Sequence, residues 1–238
     1  MVVKAVVFVL DGTIATFNLD HMTIRAEVRN LLAKAGIPSS VLSMNESMFD
    51  MLKKVEIFMK NSGKSGRSVS KIRRDVWDLA EKYELEAAKT ASLLPGVTEA
   101  LEELKKMRLK LGLFTTNSEK TANYILKRFE LTKFFSAVTP RDNVKNVKPN
   151  PEHLKTTLKD LHAKPEETLL IDDDSQDLLS AKELNVITAE LSAELPFPEK
   201  LTSSTGDYLM DSISDVPKLV ENINRHSKPK RKAERKNH

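Results

Sequence analysis

The apolar positions of this 238-residue chain follow two different rhythms. Residues 2–14, Val-Val-Lys-Ala-Val-Val-Phe-Val-Leu-Asp-Gly-Thr-Ile, form a near-continuous β-branched and aromatic run closed abruptly by Asp11-Gly12-Thr13. A run without alternation reads as a strand covered on both faces in a parallel sheet. From residue 15 to about 92 the spacing becomes helical. Ile24, Val28, Leu31, Leu32 and Ala35 form one stripe, stopped by Gly36-Ile37-Pro38. A Met-rich second stripe holds Val41, Met44, Met48, Met51, Leu52, Val55 and Phe58 and reads as core filling. Ile72, Val76, Leu79, Ala80 and Tyr83 make the third. On the third helix Trp77 reads as partly buried packing, with Arg73 and Arg74 as solvated charges.

From Leu93 onward helices alternate with short apolar strands. A helix opening at Leu94-Pro95-Gly96 precedes a strand over residues 109–115, which ends in Thr116-Asn117-Ser118. A helix over about 119–129 and a strand near 135–139 follow. Lys148-Pro149-Asn150-Pro151 leads a helix through Leu161, with Pro151 suited to its first turn. Residues 168–171 form a compact strand running into Asp172-Asp173-Asp174-Ser175-Gln176-Asp177. After one more helix come edge strands near 186–189 and 208–210. Strand–helix alternation from 93 onward, joined to the first strand, predicts an α/β fold with a doubly wound parallel sheet. The division expected is an α/β core over 1–14 plus 93–224, a helical insertion over 15–92, and a basic, disordered tail over 225–238.

Composition narrows the function classes. The chain has no cysteine, which removes disulfides, thiolate metal sites and cysteine nucleophiles. No run approaches the roughly 20 apolar residues that cross a bilayer, and the first residues lack an export-signal pattern; the reading is a cytoplasmic protein with no membrane partner. The net charge of +4 is an uneven average: residues 225–238 carry seven basic residues against the single acid Glu234, so the body is slightly acidic. Such a tail can touch nucleic acid without sequence preference, or serve as a solvated end. Gly63-Lys64-Ser65 imitates a phosphate loop, but the glycine that motif needs five residues earlier is Phe58, and a helix precedes it. No G-x-G-x-x-G is present.

Three strands therefore end in polar groups: Asp11, then Thr116-Asn117, then Asp172-Asp173-Asp174, with Lys148 on a loop before a helix. Parallel sheets gather ligand chemistry at such carboxyl ends. Clustered carboxylates without paired histidines suit a hard, oxygen-ligated cation such as Mg²⁺. A hydroxyl, an amide and a lysine suit phosphoryl oxygens. Taken singly, each group also reads as a helix cap.

In this order the motifs D-G-T, T-N, K-P-x-P and D-x-x-x-D resemble the haloacid dehalogenase superfamily over about 1–14 and 93–211. The inserted helices resemble the cap of its phosphoglycolate-phosphatase-like branch. In that family the first motif is D-x-D-G-T, whose first Asp attacks phosphorus and binds Mg²⁺. The resemblance makes Asp11 the general acid/base and a metal ligand, and Thr116 and Asn117 phosphate-binding. It makes Lys148 the lysine that neutralises phosphoryl charge, and Asp173 and Asp177 the acidic pair that serves the metal. Asp172 stands where a small residue is usual and is a candidate compensating ligand.

The nucleophile position is Val9. Valine has no lone pair to attack phosphorus or hold a cation, and losing a nucleophile costs on the order of 10⁶ in rate in the subtilisin case. The expected function is a phosphatase-like protein that binds Mg²⁺ and a small phosphorylated metabolite, with phosphomonoester hydrolysis lost or very slow. Two alternatives stand beside it. One is an active hydrolase with a non-standard nucleophile, Asp11 or Asp172; the other is a nucleic-acid-associated protein working through the basic tail.

Overall fold

The computed structural model describes residues 2–43, 45–192 and 205–226. Its centre is β1 (Ala5–Val9), with every residue buried. The strand pairs in parallel with β4 (Lys110–Phe114) on one edge and β6 (Thr168–Asp172) on the other, with Val9 opposite Phe114 and Phe8 opposite Ile171. Strands β5 (Ala137–Thr139), β7 (Ile187–Leu191) and β8 (Tyr208–Met210) complete a six-stranded sheet in the order β5-β4-β1-β6-β7-β8, parallel throughout. Strand β7 lies between β6 and β8, so only the second of the two expected edge strands is an edge.

Side chains of β1 alternate between two apolar layers, as the pleat requires. Val6 and Phe8 join a cluster with Leu101 and Leu104 of α4 (Val97–Lys106), Ile125 of α5 (Glu119–Arg128) and Val220 of α8 (Val216–His226). Val7 and Val9 join Phe114, Leu154 and Leu158 of α6 (Pro151–Asp160), and Leu178 of α7 (Ser175–Glu183). Each fully buried aliphatic side chain contributes about 1.5–3 kcal/mol, so two filled layers hold β1 in place. With helices on both faces and the strand order reversing beside β1, the expected doubly wound sheet is the observed one.

The helices expected between the first two sheet strands are α1 (His21–Lys34), α2 (Met48–Asn61) and α3 (Gly66–Thr90). Ile24, Val28, Leu32, Met51, Val55, Ile72 and Val76 form an apolar core of their own among these three helices. Val41 lies in a short 3₁₀ turn ahead of α2 rather than in it, and Met44 lies outside the described residues. Gly63, at φ +70°, closes the turn after α2, and Lys64 N–H reaches back to the Met59 carbonyl, an ordinary helix stop. An unexpected antiparallel pair, β2 (Ala15–Thr16) and β3 (Ser92–Leu93), joins the two ends of the helical segment. Two-residue strands are too short to show a period.

Helix α8 was not read from the sequence, and it carries Arg225 in its last turn, paired with Glu221. The basic segment therefore starts as helix; residues 227–238 lie outside the described residues. No helix among the described residues is long and apolar enough to cross a membrane.

Helix α3 also reaches the sheet. Glu84, continuing the stripe Val76–Ala80 by one more turn, is buried and ion-pairs with the fully buried Arg141 in the turn Arg141–Asn143 after β5. The same guanidinium donates to the carbonyls of Thr116 at 3.0 Å and Trp77 at 3.3 Å. Glu84 Oε2 accepts the Ser118 N–H at 3.0 Å, at the start of α5. Trp77 is partly buried as expected, but Arg73 is not simply solvated: it pairs with Glu56 and lies 6.0 Å from the Trp77 ring centre. Breaking a buried pair from one side strands the other charge. Glu84→Ala and Arg141→Ala should each lower unfolding free energy by about 3–5 kcal/mol, and Glu84→Leu/Arg141→Met by clearly less than the sum of the two. Denaturant titration of the four proteins measures both.

Candidate phosphate-binding site

Three strand ends and one loop meet around a cavity of about 510 Å³ beyond the carboxyl edge of the sheet. Asp11 enters two residues past β1. Its Oδ2 accepts from the Asn117 side-chain amide at 2.6 Å and from the Thr115 hydroxyl at 3.3 Å. Its Oδ1 is buried without a hydrogen-bond partner. Enclosure pushes the Asp11 carboxyl up to about 6; Lys148 opposes that shift and the charge of Glu84 adds to it.

Thr115, the first residue past β4, is fully buried and was missed in the sequence, where Thr116 was read as the hydroxyl of interest. Thr115 Oγ1 accepts from both the backbone and side-chain nitrogens of Asn117, which locks the turn. Thr116 and Asn117 line the cavity. Ser118 is the residue that caps α5. Asn117 therefore serves the cavity wall, and the capping reading of it does not hold.

Lys148 also lines the cavity, and two carboxylates outside the cavity wall hold it from behind. Its Nζ lies 2.5 Å from Asp177 Oδ2 and 3.6 Å from Asp172 Oδ2, and 5.7 Å from the Phe114 ring centre. Burial disfavours the ammonium, but Asp172, Asp177 and Asp11 outweigh it and hold the Lys148 proton firmly. Two buried carboxylates against one cation leave a negative charge unmatched, and burial pushes both acids up. Asp172 spends its Oδ1 on the N–H groups of Asp173 and Asp174. Asp174 caps α7, and Asp177 sits in that helix's first turn.

Asp173 leans over Gly12, where φ is +75° and an added Cβ would lie 2.3 Å from Asp173 Oδ2. Glycine is thus required twice over, by the backbone and by the carboxylate above it. Asp11, Asp173 and Asp174 are the acids of the cavity's sheet side, facing Thr16, Phe17, His21, Arg25 and Phe49 from the helical segment. Among the described residues no three acidic or histidine side chains converge into a ready-made metal cage. Val9 is absent from the lining; it is fully buried against Phe114 and Leu178.

The chain matches the family model of haloacid dehalogenase-like hydrolases over residues 6–190, well over half its length, and belongs to that family. Its relatives include phosphatase-like proteins. It is 35% identical over 147 residues to pyrophosphatase PpaX of Bacillus mycoides and 34% identical over 148 residues to that of Bacillus cereus. Each alignment covers 62% of this chain and 63% of the relative, just under two thirds of the relative's length. Among solved structures, β-phosphoglucomutase from Clostridium difficile superposes with a TM-score of 0.61 at 19% identity, covering 94% of this chain and 98% of that one. A subfamily IA hydrolase of the same superfamily from Geobacter sulfurreducens gives 0.54 at 25% identity, covering 92% and 96%.

His153 of α6 fixes the loop that carries Lys148. Its Nδ1 accepts the Lys148 N–H at 3.1 Å, and its Nε2 donates to the Thr139 carbonyl at 2.9 Å. Accepting at Nδ1 requires the neutral ring, and burial pushes its pKa down to about 4 from 6.5, with Lys148 adding to the fall. The unfolded chain binds this proton more readily, so His153 stabilises the fold above pH 6.5 and that stability drains away as pH falls to about 4. The loss amounts to about 3 kcal/mol at most. Unfolding free energy measured between pH 7 and 4 should decline more steeply in wild type than in His153→Gln.

Proposed function

We propose that this protein binds a small phosphorylated molecule together with Mg²⁺ in the cavity above Asp11, and that its phosphomonoester hydrolysis is lost or very slow. One observation carries the reading. Asp11, Thr116, Asn117, Lys148 and Asp173, drawn from the ends of three strands and one loop, border a single cavity, while Val9 at the same strand end is sealed in an apolar layer. In this reading Thr116, Asn117 and Lys148 take the phosphoryl oxygens. Asp11, whose raised pKa suits proton exchange near neutrality, is the acid/base of a reaction whose nucleophile Val9 does not supply.

The donor set fits Mg²⁺ in the form it usually takes, one or two carboxylates with the remaining positions filled by phosphate and water. Asp11, with an unpartnered buried oxygen, and Asp173 would hold it; it would offset phosphate charge there. Asp177, a metal candidate from the sequence, is engaged by Lys148 and supports the site by orienting that lysine. Asp172 likewise balances Lys148 instead of replacing a metal ligand at the cavity. The relatives named pyrophosphatase support a phosphorylated ligand of small size.

Phosphate release from p-nitrophenyl phosphate with Mg²⁺ tests the reading. Wild type should show no turnover above background, and Val9→Asp should exceed it by at least about 10³-fold, as restoring a nucleophile can. Val9→Asn, which matches the shape but cannot attack, should stay silent, and Val9→Asp/Asp11→Ala should lose the gain. Turnover by wild type that Asp11→Ala abolishes would overturn the proposal in favour of a non-standard nucleophile.

A further inference from the structure

The cavity has a second charged end. Arg25 lines it from α1, half-buried beside His21 and Ile24 on the same helical face. Every other strong charge near the cavity has a partner or sits on the acidic sheet side. Lys148 is met by Asp172 and Asp177, and Glu84 by Arg141. Arg25 forms neither an ion pair nor a hydrogen bond among the described residues. The same helical segment also lines the cavity with the apolar side chains of Phe17, Leu19, Met48 and Phe49, alongside Ser47 and Glu84.

A guanidinium left unpaired at the rim of a cavity of about 510 Å³ is a ready fork for an oxyanion. The cavity offers more room than orthophosphate needs, and Arg25 borders it from the helical segment while Asp11, Thr116, Asn117 and Lys148 border it from the strand ends and the adjoining loop. We infer that Arg25 is a specificity-determining residue that selects small phosphorylated molecules carrying a second oxyanion, phosphate or carboxylate, at the end remote from the bound phosphoryl group. The inference rests on the reading of the cavity as a phosphate site. The chemistry required at the second end is common to both anions.

Calorimetric titration with non-hydrolysable probes, Mg²⁺ present throughout, tests it. Methylphosphonate has a neutral tail. Methylenediphosphonate supplies a second phosphate-like group, and phosphonoacetate and 3-phosphonopropionate supply a carboxylate at two reaches. Wild type should bind at least one of the three doubly anionic probes about tenfold or more tightly than methylphosphonate, the range of a charge-assisted hydrogen-bonded pair. Which probe gains identifies the second group. Arg25→Gln should bring that ratio close to one, and Arg25→Lys should keep part of it, because a point charge remains without the fork. Arg29, one turn further along α1 and outside the cavity lining, is the control. A preference that survives Arg25→Gln, or one that Arg29→Gln removes equally, would overturn the inference while leaving the phosphate site standing. Failure of wild type to bind any probe would overturn both.

Discussion

Everything at the site depends on β1 having no free side. Its edges are hydrogen-bonded to β4 and β6, and its faces are covered by α4, α5 and α8 on one side and by α6 and α7 on the other. A polar side chain in the middle of a strand so enclosed would have no partner to offset its desolvation. The polar groups therefore gather at and just past the carboxyl ends of the strands. Because the neighbouring strands run parallel, their ends lie together, and Asp11, Thr115-Thr116-Asn117 and Asp172-Asp173 are neighbours by topology rather than by sequence. The parallel register thus converts three separated turns into one cavity floor.

The second constraint is charge. A cavity floor rich in carboxylates would repel a phosphorylated ligand unless cations were held there, and a buried cation needs its own partner. Lys148 meets both demands by facing the cavity while Asp172 and Asp177 hold it from behind. His153 fixes the backbone of that lysine only while neutral. Arg141 acts in a parallel way for the helical segment. It ties Glu84 of α3 to the Thr116 carbonyl, so the position of α3 and the shape of the Thr115-Thr116-Asn117 turn are coupled through one guanidinium.

Much of this was legible in the sequence because it follows from period. The apolar run of β1, the strand–helix alternation from 93 onward and the polar groups at strand ends gave the doubly wound sheet, Asp11, Asn117, Lys148 and the acidic turn. What was missed lacked a period. Thr115 was counted as the last strand residue, whereas β4 ends at Phe114 and the hydroxyl that meets Asp11 is the first one past it. Glu84 was not singled out, although it falls four residues after Ala80 on the apolar stripe, which was the available signal of burial. Arg141 sits in an irregular turn where no pattern separates a buried arginine from a solvated one. The pair β2 and β3 is too short to leave any pattern.

Val9 belongs to the packing of the sheet and not to the cavity lining. On β1 it occupies the same pleat face as Val7, and its neighbours Phe114, Leu154 and Leu178 form a continuous apolar layer. A valine there satisfies the packing better than a carboxylate would, so nothing in the fold opposes it. The charge balance nearby does not rely on position 9: Asp172, one strand over at the end of β6, and Asp177 face Lys148. With Val9 in place Lys148 keeps its two acids, and the lysine stays charged and positioned toward the cavity. On the proposed reading, binding of a phosphoryl group uses that charge and the Thr116-Asn117 turn. Attack on phosphorus needs a lone pair that position 9 does not have. On the proposed reading, the arrangement separates recognition from turnover at a single side chain.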